Sequence, residues 1–220
     1  MTCTIDHLVV AAHSLAQGVA WCEATLGVTP GPGGRHGFMG THNRLLSIGS
    51  PAFPLAYLEI LAIDHDAPAP GRQRWFGLDS PALQAQLQAA PRLLHAVLRT
   101  DNIALQRQGL VGLGLNPGEP LAAERDTADG RLAWRILVRT DGEIACAGAL
   151  PTLIQWQGRH PADSMAPSPV ALRSVTLGRL PAPMAGLLRL QGAAVSTSTT
   201  GPALAATLDT PLGQVALCCA

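Results

Sequence analysis

Two histidines occupy matching positions in two stretches that each resemble a buried strand followed by a helix. Residues 5–12 form a short apolar run that contains His7, and residues 93–100 align with it without a gap, which places His95 on His7. A single histidine on an apolar strand is usually a neutral core residue, whereas a ligand or a base would face a cavity. The repetition favours the second interpretation. Strict alternation along the first strand places His7 with Ile5 and Val9, and Asp6 with Leu8 and Val10.

Two further polar residues repeat in the same way. Glu59 interrupts the apolar run of residues 57–61, and a buried carboxylate without a partner is costly enough to require a cation, a hydrogen-bond donor or a metal. Gln155 takes the equivalent place in residues 153–156. The two histidines and these two residues therefore form a repeated pair of chemically competent side chains.

The elements around these residues also repeat. After the first strand, Ser14 and Gln17 form a capping-box signal for a helix, and strands are predicted at residues 37–39, 41–48 and 55–63. The sequence thus predicts an α+β fold with one strand, one helix and three strands in residues 1–63, and the same βαβββ order in residues 93–157. Residues 64–92 are an insertion with a loop and a short helix, and residues 158–169 are a linker in which His160 is expected to be solvated. Residues 170–220 form a shorter third βαβββ-like module, with a strand near residues 193–198 and a hairpin that turns at residues 211–213.

Composition excludes several classes of protein. The 220 residues carry no net charge, 47% are hydrophobic and 14% are charged, which is typical of a globular protein and gives no support to nucleic acid or a membrane surface as partner. All basic residues are arginines, so a Schiff-base lysine is excluded. The five cysteines have no C-x-x-C spacing and predict neither a zinc knuckle nor a disulfide framework. Without a signal peptide or a spanning segment, we expect a cytoplasmic protein.

The residues of the first module resemble a known family. The resemblance rests on residues 5–9, 21, 26–28, 33–36, 40–46, 57–60 and 74–79, which are similar to the glyoxalase-like domain family of the vicinal oxygen chelate superfamily, the glyoxalase, bleomycin resistance and dioxygenase proteins. It covers most of residues 4–157, is specific in the first module and looser in the second, and leaves the third module outside the superfamily's basic pair.

The resemblance implies a fold and a metal site. Each module would form a half-barrel of one curled mixed sheet, and the two would enclose a cleft with a divalent metal (Zn, Ni, Mn, Co or Fe) held by His7, Glu59 and His95, with Gln155 as fourth ligand. A lyase of this kind commonly has a second Glu where Gln155 stands. An amide cannot act as a general base, so the predicted base is His42, or Glu59 after it leaves the metal.

The implied function is a divalent-metal-dependent lyase or isomerase that acts on a small oxygen-rich metabolite. Two alternatives stay open: an extradiol-type dioxygenase, because two histidines and one carboxylate are also the ligands of non-haem iron, and a metal-free binding or resistance protein. A homodimer and a cleft within one chain are both compatible with the resemblance. The residues predicted to contact the substrate are His36, Asn43, Arg44, Arg74 and Trp75.

Overall fold

The computed structural model describes residues 2–192, 194–195 and 200–219. Its elements follow the predicted order of three βαβββ modules, with one additional helix between the first two. They are β1 (Thr4–Ala11), α1 (Leu15–Leu26), β2 (Arg35–His36), β3 (Thr41–Ser47), β4 (Tyr57–Ile63), α2 (Pro81–Ala89), β5 (Arg92–Arg99), α3 (Ile103–Gly112), β6 (Glu119–Thr127), β7 (Gly130–Val138), β8 (Thr152–Gln157), β9 (Ala171–Leu177), α4 (Ala182–Leu188), β10 (Ala194–Val195), β11 (Leu204–Thr210) and β12 (Gly213–Cys218).

The first two modules share one curled eight-stranded sheet in the order β2-β3-β4-β1-β5-β8-β7-β6. In each module the first strand pairs in parallel with the last, β1 with β4 and β5 with β8. The two halves join through the antiparallel pairing of β1 with β5. The predicted α+β fold of tandem modules in one curled mixed sheet is confirmed.

The third module has the predicted element order but a different strand order. It forms a separate sheet ordered β10-β9-β11-β12, in which the first strand pairs with the second and third strands of the module instead of the last. The predicted strand near residues 193–198 is described only at β10, and the rest of that segment lies outside the described residues. No helix in the described ranges has both the length and the apolar character needed to cross a membrane.

The main sheet has two differently covered faces. Its outer face carries Leu8 and Val10 of β1, which pack in one core with the helices and with Leu172 and Leu208 of the third module. Its inner face carries Val9 and Ala11, which pack with aromatic residues of β7 and of the insertion. The third module therefore covers the outer face, and the inner face is the one that forms the cleft.

Strict alternation in β1 was a wrong prediction, because the strand contains a bulge. Ile5 pairs with Leu98 and His7 with Val97, so Asp6 has no partner on β5. A bulge re-aims the side chains on either side of it. Ile5 consequently packs on the outer face with Leu8 and Val10, while the Asp6 carboxylate contacts the His7 ring.

The prediction of a strand at residues 37–39 was also wrong. The short strand lies at residues 35–36, and a turn follows it. The Met39 amide donates to the carbonyl of His36, and Gly40 has a φ of +56°, a conformation that glycine adopts without strain. This turn sets the register of β3, the strand that delivers Asn43 to the inner face.

The close packing of α1 on β4 generates a stability prediction. A Cβ at Gly18 would lie 2.3 Å from Cγ2 of buried Ile60, whereas a Cβ at Gly186 of α4 would meet nothing within 4 Å. We expect Gly18→Ala to lower the free energy of unfolding by about 1–3 kcal/mol through overpacking. The control Gly186→Ala should raise it by roughly 0.5–1 kcal/mol, because alanine is the better helix former. Urea unfolding of both variants measures the difference, and equal effects would contradict the packing argument.

Candidate functional site

A small cavity of about 30 Å³ lies on the inner face of the sheet. A groove of about 560 Å³ adjoins it. Leu45, Arg125 and Pro161 line both spaces and mark where they meet. The groove has the size of a small-molecule site, whereas the cavity has room for only a few atoms. The polar and aromatic residues of the cavity wall are His7, His36, Asn43, Tyr57, Glu59, Trp75, Phe76, Arg125, Trp134 and Trp156.

Asp6 is the centre of a hydrogen-bond cluster behind this cavity. Its side chain is 0% exposed, and its carboxylate lies 2.7 Å from Nδ1 of His7 and 3.0 Å from Nε2 of His160. Nε1 of Trp156 donates to it at 2.9 Å, and Arg99 Nη1 lies 3.8 Å away. Burial alone would raise the pKa of Asp6, but the hydrogen bonds from His160 and His7 outweigh it and hold that pKa well below its ordinary range. The carboxyl group therefore stays ionised inside the fold.

The ionised carboxylate fixes the protons of both histidines. Because the Asp6 carboxylate can only accept a hydrogen bond, His7 must carry a hydrogen on Nδ1. Whenever the His7 ring is uncharged, its lone pair therefore lies on Nε2. In His160, Nδ1 accepts from the amide of Ala162 at 3.1 Å, so Nε2 carries the hydrogen that is donated to Asp6. Tyr57 stacks on His7 with ring centroids 4.6 Å apart and restricts its rotation.

Glu59 lies opposite the free nitrogen of His7. Its Oε2 is 3.6 Å from His7 Nε2, and its Oε1 accepts a hydrogen bond of 2.6 Å from the Asn43 amide. The Asn43 oxygen in turn accepts from the Gly34 main chain at 2.7 Å, which fixes the orientation of the amide. His7 Nε2 and Glu59 Oε2 face each other at a distance too long for a hydrogen bond, and both can accept a proton when they do not carry one. The gap between them suits a proton, a donor or a cation.

Of the four predicted metal ligands, the structure brings His7 and Glu59 together. His95 is 1% exposed, and its Nε2 lies 3.1 Å from the amide of Thr152, which donates to it. The Phe76 ring covers it at a centroid distance of 5.0 Å, and burial lowers the pKa of His95 to about 3. Gln155 accepts from the Ile103 amide and donates to the Asp101 carbonyl, so both ends of its side chain are engaged at the start of α3.

Of the other predicted site residues, three line the cavity and three line neither the cavity nor the groove. His36, Asn43 and Trp75 line the cavity. His36 Nδ1 contacts the Thr41 hydroxyl at 3.1 Å, and burial lowers its pKa to about 4. His42 alternates with Asn43 along β3, and its Nδ1 lies 3.9 Å from Asp64.

Arg44 and Arg74 have no place in the described walls of the cavity or the groove. Arg74 contacts Asp79 at 2.7 Å and donates to the Gly40 carbonyl, and these bonds fix the loop that carries Trp75 and Phe76. Its side chain is therefore engaged in holding the wall together.

Sequence reasoning missed Asp6, His160, Trp156 and Arg125. His160 was expected to be solvated because a proline-containing linker surrounds it, yet its side chain is buried against Asp6. The available signal was Asp6 itself, a charged residue beside His7 in an otherwise apolar strand. Arg125 lies on an edge strand of alternating exposure, where a long polar residue gives no signal of its own.

Phe76 forms the part of the cavity wall next to the second module. Its backbone has φ 60° and ψ 26°, which is a left-handed conformation. For any residue other than glycine this conformation is unfavourable in free energy. The loop holds this conformation through a 2.9 Å hydrogen bond from the Gly77 amide to the Gly142 carbonyl. The ring thereby fills the space between the cavity and His95.

A family model described as a glyoxalase-like domain matches residues 5–207. The chain belongs to the glyoxalase-like domain family. No curated protein matches it. Among solved structures, a hypothetical protein from Staphylococcus aureus is 18% identical with a TM-score of 0.58, over 81% of this chain and 70% of that one.

Two methylmalonyl-CoA epimerases of the vicinal oxygen chelate superfamily are also similar. The one from Streptomyces coelicolor has 18% identity and a TM-score of 0.42, over 71% of this chain and 96% of that one. The one from Mycobacterium tuberculosis has 13% identity and a TM-score of 0.41, over 73% of this chain and 91% of that one. At these identities, the likenesses concern the fold alone.

Members of the superfamily often use divalent metals. Within the described residues, no three His, Cys, Asp or Glu side chains lie close enough together to hold an ion. His7 and Glu59 offer two donors, whereas catalytic zinc sites in proteins have three. Because Nε2 of His95 and both ends of the Gln155 side chain are engaged with main-chain groups, the donor set does not fit a resident divalent cation.

The buried histidines predict a loss of stability in acid. The pKa values of His36 and His95 lie near 4 and near 3 instead of 6.5 because burial disfavours the charged ring. The unfolded chain therefore binds protons first as the pH falls below about 6.5, and the free energy of unfolding decreases until the folded-state pKa is passed, near pH 4 for His36 and near pH 3 for His95. Each histidine contributes a slope of up to about 1.4 kcal/mol per pH unit. Urea unfolding at a series of pH values measures the sum.

His95→Gln keeps an acceptor for the Thr152 amide and removes one titrating ring. The slope of the free energy of unfolding against pH should therefore be smaller by up to about 1.4 kcal/mol per pH unit in this variant. His65→Gln, at an exposed loop position, is the matched control and should leave the slope unchanged. An unaltered slope in His95→Gln would contradict the assignment.

Proposed function

We propose that the chain is an enzyme of lyase or isomerase type, which moves a proton on a carbon next to a carbonyl group of a small oxygen-rich metabolite. The observation that carries this proposal is the pair of His7 Nε2 and Glu59 Oε2, 3.6 Å apart in a cavity closed by aromatic residues. Two proton acceptors that face the same small space can remove a proton from one atom and return it to that atom or its neighbour.

His7 is the proposed base. Its Nδ1 donates a hydrogen bond of 2.7 Å to ionised Asp6, so Nε2 is the nitrogen that can take up a proton. The Asp6 carboxylate then stabilises the positive charge of the ring. The same arrangement of carboxylate and imidazole activates the base of serine hydrolases. As the C–H bond breaks, its electron pair moves to the carbonyl oxygen and forms an enolate, and the proton resides on His7.

Glu59 is the proposed second proton carrier. One of its oxygens faces His7, and the Asn43 amide holds the other in place at 2.6 Å. A proton passed from His7 to Glu59 can return to the substrate from a different position, which gives an isomerisation. If the substrate carries a leaving group on the carbon beta to its carbonyl, that group departs with the electron pair of its own bond while the enolate pair forms a new C=C bond, which gives a lyase reaction. The geometry supports proton removal as the step common to both.

The groove supports a small molecule as substrate. Its volume of about 560 Å³ accommodates a metabolite, while the cavity of about 30 Å³ receives only the reacting end. This proposal contains no metal step, because only two of the predicted ligands are available. The dioxygenase interpretation needs His95 as an iron ligand and is set aside for the same reason. A binding protein without activity is the outcome that the following experiment separates.

The test is exchange of carbon-bound hydrogen for deuterium in D₂O, followed by proton NMR with 2-oxobutanoate and its methyl ester as probes. We expect the protein to accelerate exchange at C3, and His7→Ala and Glu59→Gln to lower the rate by at least about 100-fold, as loss of a general base does. His65→Gln is the control and should exchange at the original rate. Binding without exchange in the unmodified protein would favour the binding-protein alternative.

The role of a metal is tested in the same assay. We expect the exchange rate to stay unchanged after treatment with EDTA, because the His7 and Glu59 side chains act directly on the substrate. If EDTA abolishes exchange and Zn, Ni, Mn, Co or Fe restores it, the metal-dependent reaction implied by the family resemblance holds instead. Loss of exchange in His42→Gln, with His7→Ala unaffected, would return the role of base to His42.

A further inference from the structure

Two residues of the cavity wall carry three buried donor nitrogens without a hydrogen-bond partner in the described part of the chain. Nε and Nη1 of Arg125 and Nε1 of Trp75 are buried nitrogen atoms that make no hydrogen bond in the described part of the chain. Both residues line the cavity that holds His7 and Glu59. Buried donors in proteins nearly always have an acceptor, so two residues with unsatisfied donors in the wall of one cavity need an explanation. A ligand that supplies acceptor atoms provides one.

The charge of Arg125 is also unpaired. No carboxylate of the described residues lies within 4.0 Å of its guanidinium, although other arginines of the chain, such as Arg99, Arg131 and Arg139, make such contacts. A guanidinium is always ionised at neutral pH and binds carboxylates through two parallel hydrogen bonds. An unpaired guanidinium at the junction of cavity and groove is therefore a binding group for an anion.

The loop that faces Arg125 leaves room for the guanidinium. A Cβ at Gly34 would lie 2.1 Å from Nη1 of Arg125, so any other residue at this position would displace the charged group. The amide of the same Gly34 donates to Asn43, which holds Glu59. The loop at Gly34 thus fixes the position of Glu59 through Asn43 and also leaves the space that the Arg125 guanidinium occupies.

We infer that the substrate carries a carboxylate, which binds to Arg125 and the Trp75 indole N–H while its reactive C–H faces His7 and Glu59. The inference rests on the proposed function and adds the chemical class of the substrate, a small carboxylic acid with a carbonyl group. The two donors and the two acceptors of the cavity match the two ends of such a molecule. Arg125 and Trp75 act in binding, and the proton transfer stays with His7 and Glu59.

The test compares 2-oxobutanoate with its methyl ester, which has the same carbon skeleton and no charge. Three tryptophans line the cavity, so fluorescence titration reports binding of each probe independently of turnover. We expect Arg125→Gln to weaken binding of 2-oxobutanoate by about 10- to 100-fold, the usual effect of a lost charged hydrogen bond, and to leave binding of the ester nearly unchanged. Trp75→Phe keeps an aromatic ring, removes the donor and should weaken only the acid.

Arg131→Gln is the matched control, because it removes the same charge from the neighbouring strand, where Arg131 is 60% exposed and pairs with Glu124. Gly34→Ala should reproduce the Arg125→Gln effect on the acid by displacing the guanidinium. Equal losses for acid and ester in Arg125→Gln, or no loss for the acid, would overturn the inference. Selective binding of the acid without deuterium exchange would support the inference and contradict only the proposed reaction, so the two failures are distinguishable.

Discussion

The buried charge of Asp6 is the constraint on which the site depends. An ionised carboxylate without solvent is stable only when several donors surround it, and here they come from β1, β8 and the linker after β8. The bulge in β1 makes this possible because it places Asp6 beside His7 instead of on the opposite face. The proton on His7 Nδ1 and the position of the linker that carries His160 both follow from this one group.

Much of the fold was predictable because duplication and hydrophobic pattern are visible in the sequence. The alignment of His7 with His95 located the two central strands, and the capping residues located the helices. The bulge at Asp6 was not predictable, since no turn residue marks it. For the third module, the element order could be predicted but the strand order could not, because pairing between strands depends on contacts that are remote in sequence.

The candidate site was predictable only in its first half. Glu59 stood out as a charge in an apolar strand, and its partner across the cavity is the predicted His7. The repeat argument treats His95 and His7 alike, whereas the structure gives these two equivalent positions different surroundings. His95 is covered by Phe76, a residue of the insertion, and an insertion that breaks the repeat also breaks the inference drawn from it.

The left-handed backbone of Phe76 has a consequence for how the two halves of the cleft can diverge. A conformation of this kind is retained when the surrounding structure holds it in place, and here its ring closes the half of the cleft that faces the second module. At His95 the equivalence of the two modules is therefore broken by a residue of the insertion, in addition to the difference between Glu59 and Gln155. A duplicated architecture in this state can change its chemistry by altering one loop, without altering a strand.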